Sequence, residues 1–126
     1  MNILVDSSVW IDYFRSGKNT KTLDTYIEQN LICTNYLILS ELIPFLKIKK
    51  QTRVIDLLYQ VNRIPLNIDW VKIINYQMKC LKNGINKIGT ADLIILDNVI
   101  QNDLTLYTLD KHFNLMSDII KFDILK

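Results

Sequence analysis

Two rhythms of apolar and polar positions run along this chain. Asn2 to Asp6 is a continuous apolar run closed by an acid, the pattern of a strand buried on both faces. A Ser-Ser turn leads into a short segment, Val9 to Phe14, and Ser16 to Thr20 is a polar, glycine-containing loop. Leu23, Tyr26, Ile27 and Leu31 keep helical spacing, and Leu31 to Thr34 reads as a second short strand. Thr34 or Asn35 is placed to cap a helix carrying Leu37, Ile38, Glu41, Leu42 and Phe45, in which Pro44 predicts a kink or an early end. Lys47 to Gln51 is a polar joint before an amphipathic helix, Val54 to Val61. Ile64 to Ile68 reads as a third strand, and Pro65 assigns it to a sheet edge. Trp70, Ile73, Ile74, Met78 and Leu81 form a helical stripe ended by Asn83-Gly84. A helix from Thr90 to about Ile100, a strand Leu104 to Thr108, a short helix Asp110 to Met116 and an alternating strand Ile119 to Leu125 complete the pattern. Strands alternating with helices predict an α/β sandwich with a mainly parallel sheet, in which sites form beyond the carboxyl ends of the strands.

Composition narrows this picture. The 126 residues are 49% apolar and 22% charged, with a net charge of +2, which suits one globular domain and excludes a disordered chain. No apolar run reaches the roughly 18–20 residues that span a bilayer, and no signal-peptide pattern opens the chain, so a cytoplasmic protein without membrane contact is expected. Cys33 and Cys80 lie far apart without His or Cys neighbours at metal-binding spacing and read as reduced, buried thiols.

The placement of four acids carries the chemistry. Asp6 ends the first strand and Asp110 follows the strand Leu104 to Thr108, so both belong to one edge of the sheet. Asp92 falls in the first turn of its helix, and Glu41, one of only two glutamates, shares a helix face with Leu37. Each acid taken alone has a structural reading: a turn residue for Asp6, a solvated stripe for Glu41, a helix-dipole partner for Asp92 and a cap for Asp110. Taken together they cannot all be structural if they converge, since two unit charges roughly 4 Å apart repel by about 4 kcal/mol at an effective dielectric of about 20. Such a cluster holds protons or a divalent cation, and an all-oxygen ligand set favours Mg²⁺ or Mn²⁺ over zinc.

At this level the resemblance becomes specific. ILVDSSVWID at residues 3–12 resembles the opening motif of PIN-domain ribonucleases, in particular the VapC-type toxins of type II toxin–antitoxin pairs. LSEL at 39–42, IGTADLII at 88–95 and LTLYTLDKHF at 104–113 are similar to the family's second, third and fourth motifs, in order and nearly from end to end. The resemblance implies that residues 1–126 form a single PIN domain, a three-layer α/β/α sandwich with a mainly parallel central sheet. It implies Asp6 and Asp92 as principal ligands of Mg²⁺ (or Mn²⁺), with Glu41 and Asp110 completing the set and the hydroxyls of Ser8 and Thr108 organising it. It also implies a metal-dependent endoribonuclease that hydrolyses RNA phosphodiester bonds with a metal-activated water. The implied partners are an RNA substrate, a cognate VapB-type antitoxin that occludes the acidic site, and a second copy of the chain in a homodimer. Two alternatives stand beside this: a PIN-like domain that binds RNA or a protein without catalysis, and a PIN nuclease outside a toxin–antitoxin pair.

The sequence departs from the family where alanine-rich residues usually follow the third acid and this chain has Leu96-Asp97-Asn98. Asp97 lies about 140° around the helix from Asp92 and reads as peripheral. Lys87 and Lys111 sit near Asp92 and Asp110 in sequence and are the candidate phosphate contacts, whereas Lys47, Lys49, Lys50 and Arg53 read as a solvated joint. His112, the only histidine, reads as a supporting residue, and Trp10 and Trp70 as core or interface packing. A haloacid-dehalogenase-type phosphatase is disfavoured because Ser8 stands where its second acid is needed. A receiver domain is disfavoured because Asp56 falls in a helix pattern.

Overall fold

The computed structural model describes residues 1–125 and brings five short strands into one sheet. In chain order the elements are β1 (Ile3–Val5), α1 (Ser7–Arg15), α2 (Leu23–Glu28), β2 (Ile32–Thr34), α3 (Tyr36–Ile48), α4 (Thr52–Gln60) and β3 (Asn62–Arg63). They continue with α5 (Trp70–Lys82), α6 (Thr90–Gln101), β4 (Thr105–Tyr107), α7 (Lys111–Ser117) and β5 (Asp123–Ile124). The sheet order is β3-β2-β1-β4-β5, and every pairing is parallel. Parallel neighbours need crossovers, and a right-handed hand puts the helices between β1, β2 and β3 on one face and those after β3 on the other. Packing agrees: α3 lies against α1 and α4, while α5 lies against α6. The outcome is the expected α/β/α sandwich.

β1 is fully buried, and Ile3, Leu4 and Val5 have no exposed surface. A strand covered on both faces explains why its sequence is continuously apolar rather than alternating. Asn35 caps α3, its side-chain oxygen accepting from the Ile38 N–H at 2.9 Å. The same side chain donates to Asn98 Oδ1 at 2.9 Å, and Asn98 donates in turn to the Pro65 carbonyl at 3.0 Å. The departure at Leu96-Asp97-Asn98 is therefore filled by polar side chains that are themselves bonded, tying α6 to the start of α3 and the loop after β3. Asp97, also buried, accepts from Gln101 at 2.6 Å and from Tyr76 at 3.4 Å.

Three expected elements differ. The third strand is Asn62–Arg63 and not Ile64 to Ile68. Ile64 donates one further bond to Thr34, and Pro65, which has no N–H, stops the ladder there. β3 is nonetheless an edge strand, as Pro65 requires. The final strand shrinks to Asp123–Ile124, because Ile119 and Ile120 both bond back to Met116 and close the turn after α7. Pro44 does not end α3: its five buried residues, Ile38, Leu39, Leu42, Ile43 and Leu46, lie on both sides of the proline. The carbonyl that Pro44 deprives of its helical partner belongs to Ser40, an exposed residue, where the loss of that bond costs least.

The stripe on α5 also reads differently in three dimensions. Only Ile73 and Cys80 of that helix are buried, and Trp70, Val71, Ile74, Met78 and Leu81 are exposed. Trp10, by contrast, is buried and stacks on Phe14 with ring centroids 5.6 Å apart. Cys33 and Cys80 are both buried and unpaired, and burial pushes the Cys33 thiol up to about 11. No helix among the described residues is long and apolar enough to cross a membrane.

Candidate active site

The register of the sheet assembles the first half of the site. Val5 is level with Tyr107, so the next residues, Asp6 and Thr108, leave β1 and β4 side by side. Asp6 caps α1 from the strand end and is 5% exposed. Its Oδ2 accepts from Ser8 Oγ at 2.9 Å and from Thr108 Oγ1 at 2.8 Å. Ser8 Oγ accepts from the Leu109 N–H and Thr108 Oγ1 from the Asp110 N–H, each at 3.0 Å, so both hydroxyls are oriented to donate to Asp6. The backbone after β4 thereby aims the hydroxyls, and the hydroxyls aim the carboxylate.

Asp110 is built the same way from the other strand. It caps α7, and its Oδ1 accepts from the His112 N–H at 2.9 Å and lies 3.0 Å from His112 Nδ1. In both aspartates, then, the side-chain bonds converge on a single oxygen. Among the described residues the other oxygen of each, Asp6 Oδ1 and Asp110 Oδ2, takes none of these bonds. His112 supports Asp110, as expected of a residue outside the reacting set.

Asp92 and Glu41 come from the helices. Asp92 stands in the first turn of α6, where the Gly89 backbone favours its charged form. Burial nevertheless raises its pKa, and the charges of Asp110 and then Asp6 raise it further. Glu41 is raised by burial first, then by Asp6 and Asp92. These mutual effects place all four carboxylates in one electrostatic neighbourhood at the carboxyl edge of the sheet. They are not drawn tightly together: among the described residues no three His, Cys, Asp or Glu side chains stand close enough to enclose a metal ion. In its chemistry, an all-oxygen donor set of net negative charge, with Asp6 Oδ1 and Asp110 Oδ2 free of protein donors among the described residues, fits a hard divalent cation.

Asp97 is not part of this neighbourhood, as its partners Tyr76 and Gln101 show. His112 beside Asp110 is the only basic side chain within 4.0 Å of a carboxylate among the described residues, which leaves Lys87 and Lys111, both exposed, without carboxylate partners. Lys87 adopts a left-handed backbone (φ 66°) in the loop before α6. Lys47 in the last turn of α3, Lys49 and Lys50 just after it and Arg53 at the start of α4 are all exposed, in keeping with a solvated joint.

One feature was not legible in the sequence. A groove of about 510 Å³ runs between α1, α3 and α4, lined by Ile11, Phe14, Leu42 and Phe45, with Arg15 and Glu41 among its polar walls. Its residues come from three separate segments whose spacing resembles ordinary amphipathic helices, so only the packing of those helices reveals it.

A fold with this carboxylate edge defines a class, and the comparisons agree with it. Residues 3–119 match the PIN domain model, and the chain belongs to the PIN domain family. Its fold is similar to that of VapBC-1 from nontypeable Haemophilus influenzae (TM-score 0.77, 20% identity, 100% of this chain and 98% of that one). It is similar also to VapBC2 from Rickettsia felis, solved bound to a promoter DNA fragment (TM-score 0.75, 17% identity, 100% of both chains). A toxin–antitoxin complex from Klebsiella pneumoniae matches at TM-score 0.68 and 19% identity, covering 99% of this chain and 97% of that one. No curated protein matches the chain significantly.

Proposed function

We propose that this chain is a divalent-metal-dependent endoribonuclease, the VapC-type toxin of a toxin–antitoxin pair. The observation that carries this reading is the one-sided bonding of Asp6 and Asp110, each with one oxygen taken by protein donors and the other without one among the described residues. Asp6 and Asp92 would be the principal ligands of Mg²⁺ or Mn²⁺, with Glu41 and Asp110 completing the set. Such a cation supplies a water of lowered pKa and positive charge against the phosphodiester. The chain's own residues do the rest. Ser8 and Thr108 hold Asp6 in one rotamer, and His112 holds Asp110. Lys87 and Lys111 attract the RNA backbone toward an edge that would repel it by itself.

The antitoxin is supported by the groove beside Glu41, which is apolar, open and of a size to take a helical or extended segment. A protein chain seated there would end next to the acids and cover them. The exposed apolar face of α5 supports a homodimer. As a toxin acting on the RNA of its own cell, the chain would work in the cytoplasm. A second reading, RNA binding without cleavage, has one observation on its side, the absence of a tight three-ligand group among the described residues.

One experiment separates the two. Purified protein is incubated with total RNA in Mn²⁺ or Mg²⁺ against chelator, beside Asp92→Asn and Asp6→Asn. Cleavage that requires the metal and disappears in both variants is expected, with both folded at least as stably as wild type because like charges are removed. Binding without cleavage in either metal would establish the second reading.

A further inference from the structure

Resting on the reading that the acidic edge cleaves RNA, we propose that Tyr36 and Arg63 form a nucleotide platform beside it. The platform takes the base and the phosphate of a nucleotide adjacent to the one being cut in a single-stranded RNA.

The register sets the platform's place. Arg63 on β3 is level with Thr34 on β2, and Cys33 is level with Leu4, which makes Thr34 level with Val5. Arg63 therefore stands in the same row of the sheet as Val5, the residue before Asp6. Two strand spacings of about 4.8 Å separate their backbones, roughly 10 Å. Tyr36 opens α3 two residues beyond Thr34, at the carboxyl edge that Asp6 and Asp110 share. The strand order thus sets Arg63, Tyr36, Asp6 and Asp110 side by side along one edge, with Lys111 beyond Asp110.

The side chains have the chemistry of a stacking site. Tyr36 is 61% exposed although it is aromatic and follows a fully buried pair, Thr34 and Asn35. The Arg63 guanidinium carbon lies 5.0 Å from its ring centroid. Arg63 is held there by donating to the Tyr59 carbonyl at 3.1 Å, and among the described residues no carboxylate neutralises it. A fixed cation on one face of an exposed ring leaves the other face to a base and the remaining guanidinium donors to a phosphate. An ion pair for Arg63 would have removed the site's electrostatic value, and among the described residues it makes none.

The test uses the full chain in an Asp92→Asn background with chelator, so that RNA stays intact, and a short labelled single-stranded RNA of mixed sequence as probe. Tyr36→Ala and Tyr36→Leu are expected to weaken binding about 5- to 150-fold, the span of one lost base stack, while Tyr36→Phe binds as the parent. Arg63→Gln is expected to lower the slope of log affinity against log salt by about 0.7, one single-strand phosphate contact. An oligonucleotide with abasic sites is expected to bind equally to the parent and Tyr36→Ala. Thermal melts of each variant identify any that has lost its fold, and Tyr36→Leu keeps apolar contact with the Arg63 stem. Equal binding by the parent, Tyr36→Leu and Arg63→Gln overturns the platform, and so does a parent that binds no RNA. Wild-type cleavage run alongside tells the two failures apart: a chain that cleaves but ignores Tyr36 loses only the platform, and one that neither binds nor cleaves loses the nuclease reading too.

Discussion

The carboxylate of Asp6 shows how a single residue acquires a function from its donors. Its Oδ2 is held by Thr108 and Ser8, and Thr108 itself accepts from the Asp110 N–H. Thr108→Val keeps the shape but removes one donor to Asp6 and leaves that N–H without its acceptor. It is expected to cost about 1–3 kcal/mol in urea unfolding and to reduce cleavage at least tenfold. Wild-type stability and rate in Thr108→Val would show that the strand register alone holds Asp6. The hydroxyl positions were readable in the sequence only through the family resemblance, because a Ser two residues after an acid and a Thr on a strand are common patterns. What the spacing could not reveal is that both hydroxyls converge on one oxygen.

At the scale of elements, α3 and α6 are joined by polar groups where the family usually packs alanine. Asn98 links the cap of α3 to the loop after β3. Asn98→Ala leaves the buried Asn35 amide without its acceptor, while the carbonyl of the exposed Pro65 is open to water. It is expected to destabilise by about 1–3 kcal/mol for the one orphaned group, measured by denaturant midpoint. A change below about 0.5 kcal/mol would mean that water replaces the amide. Helices with a periodic apolar face were legible, whereas α1 read only as a Ser-Ser turn and a short segment, because Ser7 and Ser8 are turn-forming types that here form its first turn. Asn35 was one of two candidate caps for α3, and a cap was one of two readings of Asp110. The strands were less legible. Ile64 to Ile68 is as apolar as a strand, yet pairing stops at Pro65, and Ile119 and Ile120 were drawn into the turn after α7.

For the whole molecule, burial of acids at the sheet edge, and then their shared charge, makes stability depend on pH. Glu41 and Asp92 have pKa values raised above their ordinary ones in the folded state. The folded chain therefore binds more protons than the unfolded chain between the ordinary and the raised values, and stability falls as pH rises through that interval. The penalty is complete above the raised values and absent below the ordinary carboxylate range. Asp92→Asn, in chelator, is thus expected to be more stable than wild type at neutral pH. That advantage is expected to disappear as pH falls below about 4, a comparison made by thermal unfolding. Mg²⁺ or Mn²⁺ is expected to stabilise wild type more than the variant at neutral pH. An advantage for Asp92→Asn that stays constant with pH would mean that neither burial nor the other acids hinder the ionisation of Asp92 in the folded chain.

The sequence by itself determined the alternation of elements, the buried first strand and which acids stand at strand ends, and it narrowed the cap of α3 to Thr34 or Asn35. Those features are local: periodicity, capping chemistry and the apolar run of a covered strand are written within a few residues. Tertiary structure decided the rest, because it depends on pairs distant in the chain. Register put Thr108 beside Asp6 across 102 positions and Arg63 in the row of Val5. Packing made a groove from three helices, buried Asn98 against Asn35, and left the apolar stripe of α5 exposed. An apolar pattern states that a face avoids water, and only the fold states what covers it.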